Sequence, residues 1–263
     1  MVSDNWRLTG LKLELGYFSG RAWWRGRESG GGGAILRFER VRPPRSAAFQ
    51  PLRGNEVTPG FLDRVIGALK RWKYDIIGMD EVCRRAVVMA EPRRFVCLTF
   101  DGASKDLITF AYPVLARHRV PFTVYVPTAF PDGIGEAWWL ALEDILARES
   151  RVSLMIDRKE RHFEVETSRQ KYEAYAYLAS WMRSLAPTDL PSAIGDLCRR
   201  YSVDLACLSR QASMDWTDLT MLAADPNVTF GGATVNYPML ANVRDADAFR
   251  EMTMGKAVAE IAL

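Results

Sequence analysis

Two short loops hold the residues best suited to chemistry in this 263-residue chain. The first, Leu98-Thr99-Phe100-Asp101-Gly102-Ala103-Ser104-Lys105-Asp106, places a carboxylate directly after an apolar, β-branched run of strand length. A charge there is costly unless it is hydrogen-bonded, paired or used, so Asp101 reads either as a functional acid or base, or as a helix-capping or turn residue. The second loop, Phe230-Gly231-Gly232-Ala233-Thr234-Val235-Asn236-Tyr237-Pro238, is a glycine-rich strand exit leading to a polar turn. Histidine is scarce: His118 and His162 stand alone, and the cysteines (Cys83, Cys97, Cys198, Cys207) form no C-x-x-C pair. A zinc site would therefore have to lean on carboxylates.

The elements that must position these loops follow from periodicity. Ala34 to Val41 reads as a strand, ended by Pro43 and Pro44. Thr58-Pro59 opens a helix, with Thr58 as N-cap and Phe61, Val65, Ile66 and Leu69 at helical spacing through Trp72. Tyr74 to Ile77 is a brief strand, and Asp80 begins another helix. Phe95 to Phe100 has the character of a strand buried on both faces. A helix over Asp106 to His118 and a strand over Phe122 to Pro127 follow, implying a parallel pair joined by a crossover. In such a β/α arrangement a site forms beyond the C-terminal ends of the strands, where both loops lie.

From Asp132 to Asp218 the pattern changes. Trp138 to Arg148 reads as an amphipathic helix, Ser153 to Ile156 and His162 to Val165 as a hairpin, Lys171 to Leu185 and Gly195 to Tyr201 as further helices. The adjacent Trp138 and Trp139 are core anchors or a sugar-contacting pair. Val228 to Phe230 resumes the buried strands, and Asp245 to Leu263 is a last helix. The expected organisation is a basic leader (1–33), the first part of a β/α barrel (34–131), an α+β insertion (132–218) and a continuation of the barrel (219–263).

Composition excludes several classes. Hydrophobic residues make up 48% and charged residues 25%, as in an ordinary globular chain, and the formal charge of +3 gives no case for nucleic acid. Basic residues crowd the first 53 positions, where Gly30 to Gly33 lacks the Lys-Ser/Thr of a phosphate loop. This region reads as a loosely packed leader or as a contact to a membrane surface or partner through Trp23, Trp24 and the arginines. The cysteines read as free, mostly buried thiols. With no signal-peptide pattern and no transmembrane segment, the expected compartment is the cytoplasm.

Leu98 to Asp106 followed by Phe110 to Leu115, His118 to Thr128, and Thr234 to Leu240, in that order, resemble the polysaccharide deacetylases, grouped with nodulation protein B and the chitooligosaccharide deacetylases. The resemblance runs from about Ile35 to the C-terminus. It implies a distorted parallel β/α barrel and metal-assisted hydrolysis of the C–N bond of N-acetylglucosamine units, in which a divalent ion, usually zinc, activates water and an aspartate takes its proton.

The family's T-F-D-D-G motif, whose first Asp is the base and second a ligand, here reads Thr99-Phe100-Asp101-Gly102-Ala103. Asp101 keeps the position of the base, and Gly102 stands at that of the ligand. The H-[ST]-x-x-H motif reads Ala233-Thr234-Val235-Asn236-Tyr237, so Ala233 and Tyr237 replace both imidazoles. Relatives often carry a histidine in the first strand, where this chain has Glu39. The resemblance also implies later strands that are expected to be missing after Leu263, leaving a barrel edge for a partner or a second copy to cover. The expectation is a deacetylase-like protein without metal cofactor or turnover. Its alternatives are a glycan-binding or regulatory relative, with Thr234, Asn236 and Tyr237 contacting an N-acetylglucosamine oligosaccharide, and a decayed gene product.

Overall fold

The computed structural model describes residues 32–87 and 94–263. Its centre is the strand β5 (Phe95–Asp101), in which Val96 to Phe100 are all buried, as the unbroken apolar run requires. β1 (Gly33–Phe38) pairs parallel along one edge of β5, from Gly33 opposite Phe95 to Phe38 opposite Phe100. The other edge is shared: β4 (Asp75–Ile77) pairs with residues 95–97 and β6 (Phe122–Val126) with 99–101, both parallel. β9 (Val228–Gly232) extends the sheet beyond β6, again parallel. A two-residue pair, β2 (Arg40–Val41) with β3 (Glu56–Val57), lies apart from this sheet.

The mixed α/β class with a mostly parallel sheet is as expected; barrel closure is not found. Among the described residues the sheet is open, with β1 and β9 at its ends. β4 spans three residues and occupies half an edge of β5, so the strands do not form a continuous ring.

One face of the sheet carries Val96, Leu98, Phe100, Phe38, Val124 and Phe230, packed with helices α1 (Pro59–Arg71) and α3 (Tyr112–His118) into the first hydrophobic core. Helix α1 starts as its sequence dictates: Thr58 Oγ1 accepts from Phe61 N at 3.1 Å and Pro59 occupies the first turn. Helix α2 (Met79–Val87) begins one residue before the expected Asp80. The helix expected from Asp106 opens instead as a wide π-type turn over Leu107–Ala111. Pro113 has no N–H to give to the preceding turn, and the ladder widens before it.

The second core is built mainly from α4 (Trp138–Arg148), the hairpin β7 (Arg151–Ile156) and β8 (Lys159–Glu164), α5 (Ser168–Ser184) and α6 (Leu190–Arg200). The hairpin turn is tighter than expected because Asp157 and Arg158 both adopt positive φ. Two helices escape the sequence reading, α7 (Leu205–Ala212) and α8 (Trp216–Ala223), each capped by an aspartate, Asp204 and Asp215. α8 adds Leu219 and Leu222 to the first core, while Phe49 and Leu52 from before α1 belong to the second. Arg45 links the two, reaching Glu56 and Glu143 at 2.9 Å each. All four cysteines are free; Cys97 and Cys198 are buried as expected, but Cys83 is exposed and Cys207 half-buried.

Candidate functional site

The two loops singled out above lie side by side. Gly102 N donates to Tyr125 O and Ala233 N to Val126 O, each at 3.0 Å, so the exits of β5 and β9 both bind the end of β6. The segment after β6 is drawn in by Thr128 N to Thr234 O at 3.1 Å and Ala129 N to Val235 O at 3.0 Å. Backbone strain gathers here: Gly102 (φ +90°), Ala103 (φ +49°), Thr234 (φ +100°) and Tyr237 (φ +57°) all lie in the left-handed half of conformational space. For the β-branched Thr234 this is a rare conformation, and such strain persists where surrounding bonds over-determine it.

Helix α9 (Asp245–Ala262) supplies those bonds. It crosses the β9 exit so closely that a Cβ on Gly255 would lie 2.5 Å from the Thr234 backbone. At this approach Glu251 accepts three bonds, from Val235 N (3.0 Å), Asn236 N (2.9 Å) and Asn236 Nδ2 (2.7 Å).

Asp101 is an ion-pair partner rather than a cap. Its Oδ2 accepts from Arg37 Nη1 at 3.1 Å, and the same guanidinium reaches Glu39 Oε1 through Nη2 at 2.8 Å. Asn55 Nδ2 holds the other Glu39 oxygen at 2.6 Å. The turn function weighed for Asp101 falls to Ser104, whose Oγ accepts from Asp106 N at 3.3 Å. Asp106 pairs with Arg40 at 2.7 Å.

Tyr237 stands beside this trio. Burial first, then the charges of Asp101 and Glu39, push its phenol up to about 12, with Arg37 opposing. It is a protonated hydrogen-bond donor at any physiological pH. Around it rises an aromatic wall, with ring centroids of Phe130 at 6.4 Å and Trp139 at 6.2 Å. The tryptophan pair thereby divides: Trp138 is buried beneath Arg183, and Trp139 turns toward Phe130 and Tyr237.

Of the expected residues, Asp101 and Tyr237 come together. Thr234 is buried, with Oγ1 accepting from Tyr237 N at 3.0 Å, and the Asn236 amide faces Glu251, so both shape the turn. Arg37, Phe130 and Glu251 were not singled out by sequence reasoning. No local signal finds Arg37, because only the parallel register of β1 on β5 sets it opposite Thr99, two residues before Asp101.

The divalent ion that deacetylation needs does not fit these residues. Gly102 and Ala233 offer no side-chain donor, Tyr237 keeps its proton, and Asp101 and Glu39 already share Arg37. Among the described residues no three His, Cys, Asp or Glu side chains gather into a possible metal site. His118 lies at the opposite end of the sheet, bonded to Asp63 at 2.7 Å, and His162 is bonded to Ser153 at 2.7 Å.

Neither a protein-family model nor a curated protein sequence matches the chain. Solved structures do. The Streptococcus pyogenes deacetylase PplD, in complex with acetate, aligns with TM-score 0.52 and 16% identity over 88% of this chain and 68% of its own. IcaB from Ammonifex degensii aligns with TM-score 0.46 and 14% identity, over 88% of this chain and 69% of its own. A de-N-acetylase from Aggregatibacter actinomycetemcomitans aligns with TM-score 0.43 and 10% identity, and the chain spans 55% of it. The chain shares the fold of the streptococcal deacetylase, and at this identity the likeness shows the fold alone.

Proposed function

We propose that the protein is a relative of the polysaccharide deacetylases that binds an N-acetylglucosamine oligosaccharide without hydrolysing it. The observation that carries the reading is the state of Asp101, held by Arg37 beside ligand positions filled by Gly102, Ala233 and Tyr237. Metal-assisted hydrolysis needs an ion to polarise the acetamide carbonyl and activate water, a contribution of several kcal/mol, and a carboxylate free to take the proton. This site supplies neither.

What it offers is the chemistry of sugar recognition. A pyranose ring presents an apolar C–H face and a hydroxyl rim, which suits an aromatic wall with a few fixed polar groups. Trp139, backed by the buried Phe130, gives the apolar face, the Tyr237 hydroxyl donates, and Asp101 and the half-exposed Arg37 accept and donate at the rim. The region 132–218, proposed as an insertion, forms the flank that carries Trp139. Among the described residues no helix is long and apolar enough to cross a membrane, and with four free cysteines the proposed location is the cytoplasm.

Purified protein is expected to carry no stoichiometric metal in elemental analysis and to release no acetate from chitooligosaccharides. Acetate release that stops on chelation would contradict the reading.

A further inference from the structure

Arg37 has a role that neither loop motif foretells. Its guanidinium lies between two carboxylates on adjacent strand ends, 3.1 Å from Asp101 Oδ2 and 2.8 Å from Glu39 Oε1. The two acids are largely covered, with side-chain exposures of 20% and 29%, whereas Arg37 is 58% exposed. Two carboxylates brought this close repel one another unless a cation compensates them. In a metal-dependent site that cation is the ion. Here it comes from the chain itself, one strand away.

We infer that Arg37 is a built-in counter-cation: it holds Asp101 and Glu39 together, and by occupying the space between them it closes the site to divalent ions. The planar fork suits the task, since Nη1 and Nη2 each serve one carboxylate, which a lysine ammonium on a flexible stem does less well. The inference rests on the reading that no ion serves this site. It does not depend on the binding of a saccharide.

The experiment is thermal unfolding of the full chain at neutral pH with manganese chloride or with EDTA. Wild type is expected to unfold at the same temperature in both. Arg37→Met, which removes the charge and keeps the stem, should unfold earlier in EDTA and regain about 3 °C with manganese at a concentration well above its Kd, because an ion that binds only the folded site stabilises it. Adding Asp101→Asn to Arg37→Met should abolish the gain, a response that a packing role for Arg37 would not produce. Arg37→Lys should gain less than Arg37→Met, and it keeps the test open if the methionine variant fails to fold. Manganese stabilisation of wild type equal to that of the variants would overturn the inference, as would no manganese response in either variant. Failure of the glycan-binding reading would appear in saccharide titrations and leave these melting temperatures unchanged.

Discussion

Asp101 ends a strand in which Val96 to Phe100 are all buried, and its charge is met by Arg37 from the neighbouring strand. That a residue at this position must be paired or used was legible from the run before it, since an unbroken apolar strand leaves a terminal carboxylate few partners. Which partner it takes was not legible, because Arg37 is 64 positions away and only the parallel register sets the two chains level. Tyr237 gives a residue-scale prediction. Burial and the nearby carboxylates push its phenol up to about 12 from an ordinary 10, so the folded state keeps this proton longer than the unfolded chain does. Stability is unaffected by Tyr237 well below pH 10 and falls as the pH rises from about 10 towards 12. Urea unfolding between about pH 9 and pH 11.5 should show that fall, and Tyr237→Phe should lessen it. Gly102 gives another. With φ at +90°, Gly102→Asp forces a side chain onto a backbone that favours glycine, at a cost of about 1–3 kcal/mol in the same measurement. Placing at these positions the ligand types that the resemblance implies, through Gly102→Asp, Ala233→His and Tyr237→His, therefore meets a strained turn as well as the guanidinium of Arg37.

Elements whose signals are local were read correctly. α1 carries its own cap in Thr58-Pro59, and β5 its own burial in an unbroken apolar run. α7 and α8 were missed although Asp204 and Asp215 cap them, because each has only 8 residues and neither sustains a helical period long enough to be seen in sequence. The relation of α9 to β9 was also invisible, since it depends on two glycines meeting across the fold rather than on either segment alone. A Cβ on Gly232 would approach Lys256 N to 3.0 Å, and one on Gly255 would strike the Thr234 backbone. Gly255→Ala should accordingly destabilise the protein by about 1–3 kcal/mol in denaturant unfolding. Glu251→Gln replaces an acceptor of three N–H groups with a side chain that is half donor, and should cost about 1–3 kcal/mol and loosen the 234–237 turn. Protection of the Val235 and Asn236 amides from hydrogen exchange, lost in the variant, would locate the effect.

At the scale of the whole molecule, the ordered resemblance of Leu98 to Asp106, His118 to Thr128 and Thr234 to Leu240 pointed to a fold that the streptococcal deacetylase shares. An incomplete barrel with an uncovered edge was expected, but not the way its strands share edges. Closure depends on how many strands share each edge, and β4 and β6 dividing one edge of β5 leaves no trace in periodicity. The mixing of segments between the two cores, with Phe49 and Leu52 in one and α8 in the other, likewise reflects long-range packing that no local signal encodes. What emerges is a fold shared with the streptococcal deacetylase, in which the loops after β5 and β9 bring together an ion pair, a tyrosine and neighbouring aromatic rings. Isothermal titration calorimetry with N-acetylglucosamine oligosaccharides tests that account most directly, since one trace reads both binding and turnover. Saturable heat that returns to baseline after each injection and is lost in Trp139→Ala is the predicted result. No heat with any oligomer, or a sustained turnover signal abolished by chelator, would contradict it.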